Sequence, residues 1–257
     1  MINYRISWGL AVLMAAIFLS AVAGAQLTTP PEDAAEKYFT EGLAALQAGN
    51  GVQAEAHFTE VIKLKGDWAA AYVNRGQAFV LQGNLDKAVQ DFTQALALDP
   101  DSFEAYYNRG RVYTKLDQPA KAVTDYTAAL KLKKDDWQLY YNRGNAFLDG
   151  EKYPEALKDY EQALKLSPKN AEIFHNRGLA RLYSEQAAAA LDDFNQTLTL
   201  DPNFTRAQYN RGRALEQLKR LPEARGAYRS FLQAANPVTD KPLIERALER
   251  LKELKEK

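Results

Sequence analysis

The chain has 257 residues, with 33 basic and 33 acidic side chains, no cysteine and two histidines. Zero formal net charge argues against a general nucleic-acid binder, whose phosphate contacts need surplus lysine and arginine. The lack of cysteine excludes disulfides, thiolate zinc sites and thiol nucleophiles.

Residues 1–25 carry a single charge, Arg5, ahead of an apolar run from Ile6 to Val22. The run ends in Ala23-Gly24-Ala25, the small-residue exit that signal peptidase requires. This predicts an exported protein with a mature start at Gln26, periplasmic or secreted. The alternative is an uncleaved anchor, because the run approaches the ~20 residues that span a bilayer. Residues 26–34 are polar with a Pro30-Pro31 pair and read as a linker. Thr29 is placed to cap the following helix, with Glu32 and Asp33 in a first turn that favours acids.

Beyond the linker the chain repeats. Asn-Arg-Gly occurs at 74–76, 108–110, 142–144, 176–178 and 210–212, each 34 residues after the last. One step back from Gly76 lands on Gly42. Six units follow: 35–68, 69–102, 103–136, 137–170, 171–204 and 205–238. "Position" below means the count within a unit. Position 8 is glycine in all six (Gly42, Gly76, Gly110, Gly144, Gly178, Gly212) and position 20 is alanine in all six (Ala54, Ala88, Ala122, Ala156, Ala190, Ala224). Position 24 is aromatic throughout: Phe58, Phe92, Tyr126, Tyr160, Phe194 and Tyr228. Position 4 is aromatic in five units, and Pro100, Pro168 and Pro202 occupy position 32. Positions 4, 8 and 11 share one helix face, as do 20, 24 and 27–28. The small residues allow close helix approach, and the aromatics fill the volume beside it.

These residues, at this period, resemble the tetratricopeptide repeat (TPR) signature. The resemblance covers 35–238. It departs locally: position 7 is arginine where the family usually has leucine, and Ala45, Arg181 and Leu215 replace the usual aromatic at position 11. It implies an all-α solenoid, a right-handed superhelix of six helix-turn-helix units. It also implies a protein-binding module whose first helices line a concave groove. Residues 239–257 form one more helix, with Leu243, Ala247, Leu251 and Leu254 in one stripe and a charged back. It reads as the polar cap that an open-ended solenoid needs, or alternatively as a partner-binding helix.

At about 100° per residue, positions 2, 6, 9 and 13 form a stripe separate from the packing face. Position 6 holds Asn74, Asn108, Asn142, Asn176 and Asn210. A primary amide both donates and accepts, so such a row suits the backbone of an extended peptide; packing between units is the competing use. Position 5 borders the stripe, and Tyr107, Tyr141 and Tyr209 offer contact area with a polar tip. His175 takes a tyrosine's place in that row. Position 9 adds Arg111, Asn145 and Arg213. Position 2 holds Glu36, Ala70, Glu104, Gln138, Glu172 and Arg206, and varies where the scaffold does not.

Arg75, Arg109, Arg143, Arg177 and Arg211 at position 7 lie near the packing face, and Asp91, Asp125, Asp159 and Asp193 share position 23. A repeated ion pair follows, but pairing within a unit strands Arg211 and pairing with the preceding unit strands Arg75. No phosphate loop, dinucleotide fingerprint or clustered acid, base and nucleophile set appears. The expectation is a non-enzymatic, exported interaction module with no metal, cofactor or nucleic acid. It would hold an extended segment of another protein as a scaffold or assembly factor. The alternative is a membrane-tethered adaptor that keeps its N-terminal helix.

Overall fold

The computed structural model describes residues 31–254, which contain thirteen helices and no strand. The segment 1–25 and the cap expected at Thr29 lie outside the described residues. Among the described residues no helix is long and apolar enough to cross a membrane. The chain divides into two compact bodies, ending and beginning at Gly83 and Asn84.

The first body holds α1 (Pro31–Gln47), α2 (Gly51–Leu64) and α3 (Ala69–Leu81). Helix α1 starts inside the stretch expected to be linker. Proline's fixed φ suits a first turn. Ala54, Phe58 and Val61 of α2 are fully buried and form the core with Ala45, Ala71 and Ala78. Phe39 stacks on Trp68 with ring centroids 4.5 Å apart.

The second body begins with α4 (Leu85–Leu98). Helix pairs follow: α5 (Phe103–Lys115) with α6 (Pro119–Leu132), and α7 (Trp137–Asp149) with α8 (Tyr153–Leu166). Then come α9 (Ala171–Tyr183) with α10 (Ala187–Leu200), and α11 (Thr205–Gln217) with α12 (Leu221–Ala234). Helix α13 (Lys241–Glu253) ends the body. Each helix packs on the next in sequence, and α5, α7, α9 and α11 also meet one another across the pairs.

The small residues act as expected. A methyl group on Gly178 would stand 2.7 Å from Phe194, and one on Gly144 2.9 Å from Tyr160. Each pair is therefore held at a distance that only glycine permits, against an aromatic ring that is fully buried. The side chains of Ser102, Asp136 and Asn170 accept from backbone N–H groups in the first turns of α5, α7 and α9. The turn inside every pair needs one left-handed residue. Gly49 and Gly83 supply it early in the chain, and Asp117, Glu151, Glu185 and Lys219 do so later, with φ of 54–61°.

The ion pairs form within a unit. Arg109 donates through Nε and Nη2 to Asp125 at 2.8 and 2.8 Å, Arg143 to Asp159 at 2.7 and 2.7 Å, and Arg177 to Asp193 at 3.0 and 2.6 Å. Arg109 and Arg143 add a bond to Thr93 and Thr127 of the preceding unit's second helix. Each of these two guanidinium groups thus ties three helices together. In the last pair Ala227 occupies the aspartate's register, and the Nε of Arg211 is buried without a hydrogen bond. Burial without an anion pulls this guanidinium below its usual range.

Candidate functional site

The first helices of the second body present the residues selected from the sequence, but in three different states. Asn176 of α9 donates to the Tyr141 hydroxyl of α7 at 3.0 Å and to Asn145 Oδ1 at 2.9 Å. Asn145 also accepts from the buried Tyr160 hydroxyl at 2.8 Å. This network stitches α7, α8 and α9 together, so the Asn176 amide donors and the Tyr160 hydroxyl proton are already used. Burial raises the pKa of Tyr141 and of Tyr160, which keeps both hydroxyls protonated.

Asn210 is buried and accepts from Arg213 at 3.2 Å. Asn108 and Asn142, half-buried in the same register of α5 and α7, make no hydrogen bond among the described residues. Asn74, in the first body, donates to the Ala70 carbonyl of its own helix at 2.8 Å. Packing between units, the competing use foreseen for the row, therefore holds at Asn176, while Asn74 and Asn210 bond within their own helices.

The aromatic row divides similarly. Tyr107 is half-buried, stacked on Phe103 at 5.9 Å, with exposed Arg111 over its ring. Tyr141 packs between Trp137 and Tyr160. Tyr209 is 7% exposed and packs on Tyr228 and Phe231, so it is chiefly a core residue. His175, 6% exposed, lies 4.7 Å from the Phe204 ring and 5.6 Å from that of Phe194. Desolvation, aided by Arg206, brings its pKa down to about 4, so it is a neutral ring near pH 7. No group of three or more metal-ligating side chains occurs among the described residues.

One cavity, of about 610 Å³, gathers His175, Asn176, Tyr209, Asn210 and Arg213 with residues that the sequence reading left out of the site. Arg206, Tyr183 and Phe204 join it from α9 and α11 or the turn between the pairs, and Leu243 and Arg246 from α13. Arg246 could have been found from helix starts. Helix α13 begins 36 residues after α11 (241 − 205), so the asparagine register continues to Arg246 rather than to Ile244.

Family models for the tetratricopeptide repeat match at 103–136 and 175–238, and a further TPR repeat model matches at 76–117 and 144–184. Together they span more than half of the chain. The chain belongs to the TPR family. Solved TPR structures share its fold. A tetratricopeptide repeat protein from Parabacteroides merdae superposes with a TM-score of 0.70 at 18% identity, over 87% of this chain and 93% of that one. YrrB, described as a TPR protein with an unusual peptide-binding site, gives 0.62 at 22% identity, over 71% and 90%. MamA from Desulfovibrio magneticus RS-1 gives 0.64 at 22% identity, over 67% and 97%. No curated protein sequence matches the chain. The architecture is thus an all-α solenoid of TPR units.

Proposed function

We propose that this TPR protein is a non-catalytic interaction module that holds an extended segment of a partner protein along its first helices. The observation that carries this reading is the row of first helices in mutual contact. It exposes unused amides at Asn108 and Asn142 and opens at one end into the arginine-lined cavity. An amide side chain with no intramolecular partner offers both donor and acceptor groups to a peptide backbone. The peptide-binding site described for YrrB supports the same use of the fold. The apolar run and small-residue exit at 1–25 support action outside the cytoplasm, as a scaffold or assembly factor.

The test is selection of peptides from a displayed random library against the full chain, followed by calorimetric titration of the winners. Two hydrogen bonds are worth roughly 1–3 kcal/mol together. Asn108→Ala with Asn142→Ala should therefore weaken binding by about tenfold or more. Absence of any selected peptide, or affinity untouched by the double variant, refutes the groove.

A further inference from the structure

We infer that the cavity beneath α13 takes an acidic segment of the partner, with side-chain carboxylates seated on Arg206, Arg213 and Arg246. The inference rests on the groove reading above and adds the chemistry of its occupant.

The donors decide the ligand. Along this end of the row Asn176 donates to Tyr141 and Asn145, and the Asn210 side-chain oxygen accepts from Arg213. The charged donors of the cavity wall are guanidinium groups. Arg206 and Arg246 are exposed and make no ion pair or hydrogen bond among the described residues. Arg213 is half-buried, with its guanidinium 5.4 Å over the Tyr183 ring and a neutral amide as its hydrogen-bond partner. Glu172 is the single carboxylate in the cavity wall, against three arginines. His175 adds no charge near neutral pH, because burial holds it neutral.

Neighbouring arginines show the contrast. Arg177 is closed by Asp193, and Arg250 of α13 by Glu216 and Glu253. The cavity arginines are therefore a local surplus of planar, bidentate donors, the geometry that fits carboxylates. Leu179, Phe204, Tyr183 and Leu243 line the same space and fit the methylene stems of glutamates or apolar residues between them. Position 2 changes sign at this end: it reads Glu104, Gln138 and Glu172 before it turns to Arg206.

The experiment measures fluorescence anisotropy of a fluorescein-labelled peptide of alternating Glu and Leu with an amidated C-terminus. Its counterpart carries Gln for every Glu. Both are titrated with the full chain. The Glu peptide should bind at least about tenfold more tightly, and added salt should remove the difference. Arg206→Gln with Arg246→Gln should abolish the preference. Arg225→Gln with Arg229→Gln, the same loss of charge on α12 away from the cavity, should keep it. Circular dichroism verifies that both variants fold.

Equal affinity for the two peptides, or a preference that survives Arg206→Gln with Arg246→Gln, overturns the inference while leaving the groove reading intact. Failure of both peptides to bind overturns the inference too. The groove reading then stands or falls on the library selection.

Discussion

Replacing Ala227 by aspartate should stabilise the last helix pair. Three pairs place an aspartate sixteen residues after the arginine, with both guanidinium contacts between 2.6 and 3.0 Å. In each the aspartate side chain is 3–5% exposed and the arginine 16–19%. Arg211 sits in the same register without its anion. Next to it, Gly226, Ala227 and Ser230 line a cavity of about 490 Å³, so a carboxymethyl group has room. Stranding one partner of a buried pair costs roughly 3–5 kcal/mol. Arg211 bears part of that cost, softened by access of its terminal nitrogens to water. The introduced carboxylate would recover charge-assisted bonds of about 1.5–3 kcal/mol but lose its own hydration. The net gain should be about 1–2 kcal/mol, a factor of roughly 5–30 in local stability.

Repeat arrays unfold in parts, so the assay is native-state hydrogen exchange of α11 and α12, read by mass spectrometry. Protection there should rise in Ala227→Asp. In an Arg211→Gln background the same substitution should lower it, because the new carboxylate is then the stranded charge. Equal effects in both backgrounds would show that Arg211 does not reach position 227 and would sink the argument. Conversely, Asp159→Ala should create a second stranded arginine, costing about 3–5 kcal/mol in α7 and α8.

Other expectations follow from the same geometry. Glu151 holds φ = 58°, where a side chain costs about 1 kcal/mol. Glu151→Gly should raise the urea midpoint, although the adjacent Gly150, right-handed at φ −84°, makes the segment look already supplied with glycine. Gly178→Ala should destabilise by about 1–3 kcal/mol through overlap with Phe194, whereas Gly226→Ala, with nothing within 4 Å of the new methyl, should stabilise by up to about 1 kcal/mol. Circular dichroism melts of the pair check the opposite signs. His175 has its pKa lowered to about 4 in the folded state from 6.5, so the unfolded chain binds a proton first as pH falls. Stability should therefore drop between pH 6.5 and about 4, by up to roughly 3 kcal/mol. His175→Tyr should flatten that part of the urea-midpoint profile.

Much of the fold was legible because its contacts are steric and periodic. Glycine at position 8 and an aromatic at position 24 define a contact between helices, and that contact recurs every 34 residues. The same contact contained the answer to the ion-pair register. If position 8 faces position 24, sixteen residues on, then position 7 faces position 23, and the pair must close within a unit. Counting unpaired ends left both pairings open because it ignored that geometry. The helix start at Pro31 agrees with the first turn expected at residues 32–33, where proline too is favoured. The cavity was hidden because the step to α13 is two residues longer than the repeat, which removes Arg246 from the register in which the asparagines were read.

The asparagine row shows why periodic polar residues cannot be given one role from sequence. An amide's versatility suits it to a ligand's backbone and equally to a neighbouring tyrosine. Which use prevails depends on the residues at positions 5 and 9 beside it. At Asn176 the preceding unit offers Tyr141 and Asn145, and the amide is consumed. At Asn210 the preceding unit offers His175 and Leu179, and Arg213 of its own helix takes the amide oxygen instead. At Asn142 the preceding unit offers Tyr107 and Arg111, which lie together as ring and cation, and the amide stays unpaired. The row is therefore graded, from free amides in α5 and α7 to guanidinium groups around α11 and α13. Under the proposed reading, a bound segment meets backbone-directed chemistry at one end and carboxylate-directed chemistry at the other. Such a gradient fixes the direction in which an asymmetric acidic peptide lies, a selectivity that a uniform ladder of asparagines would lack.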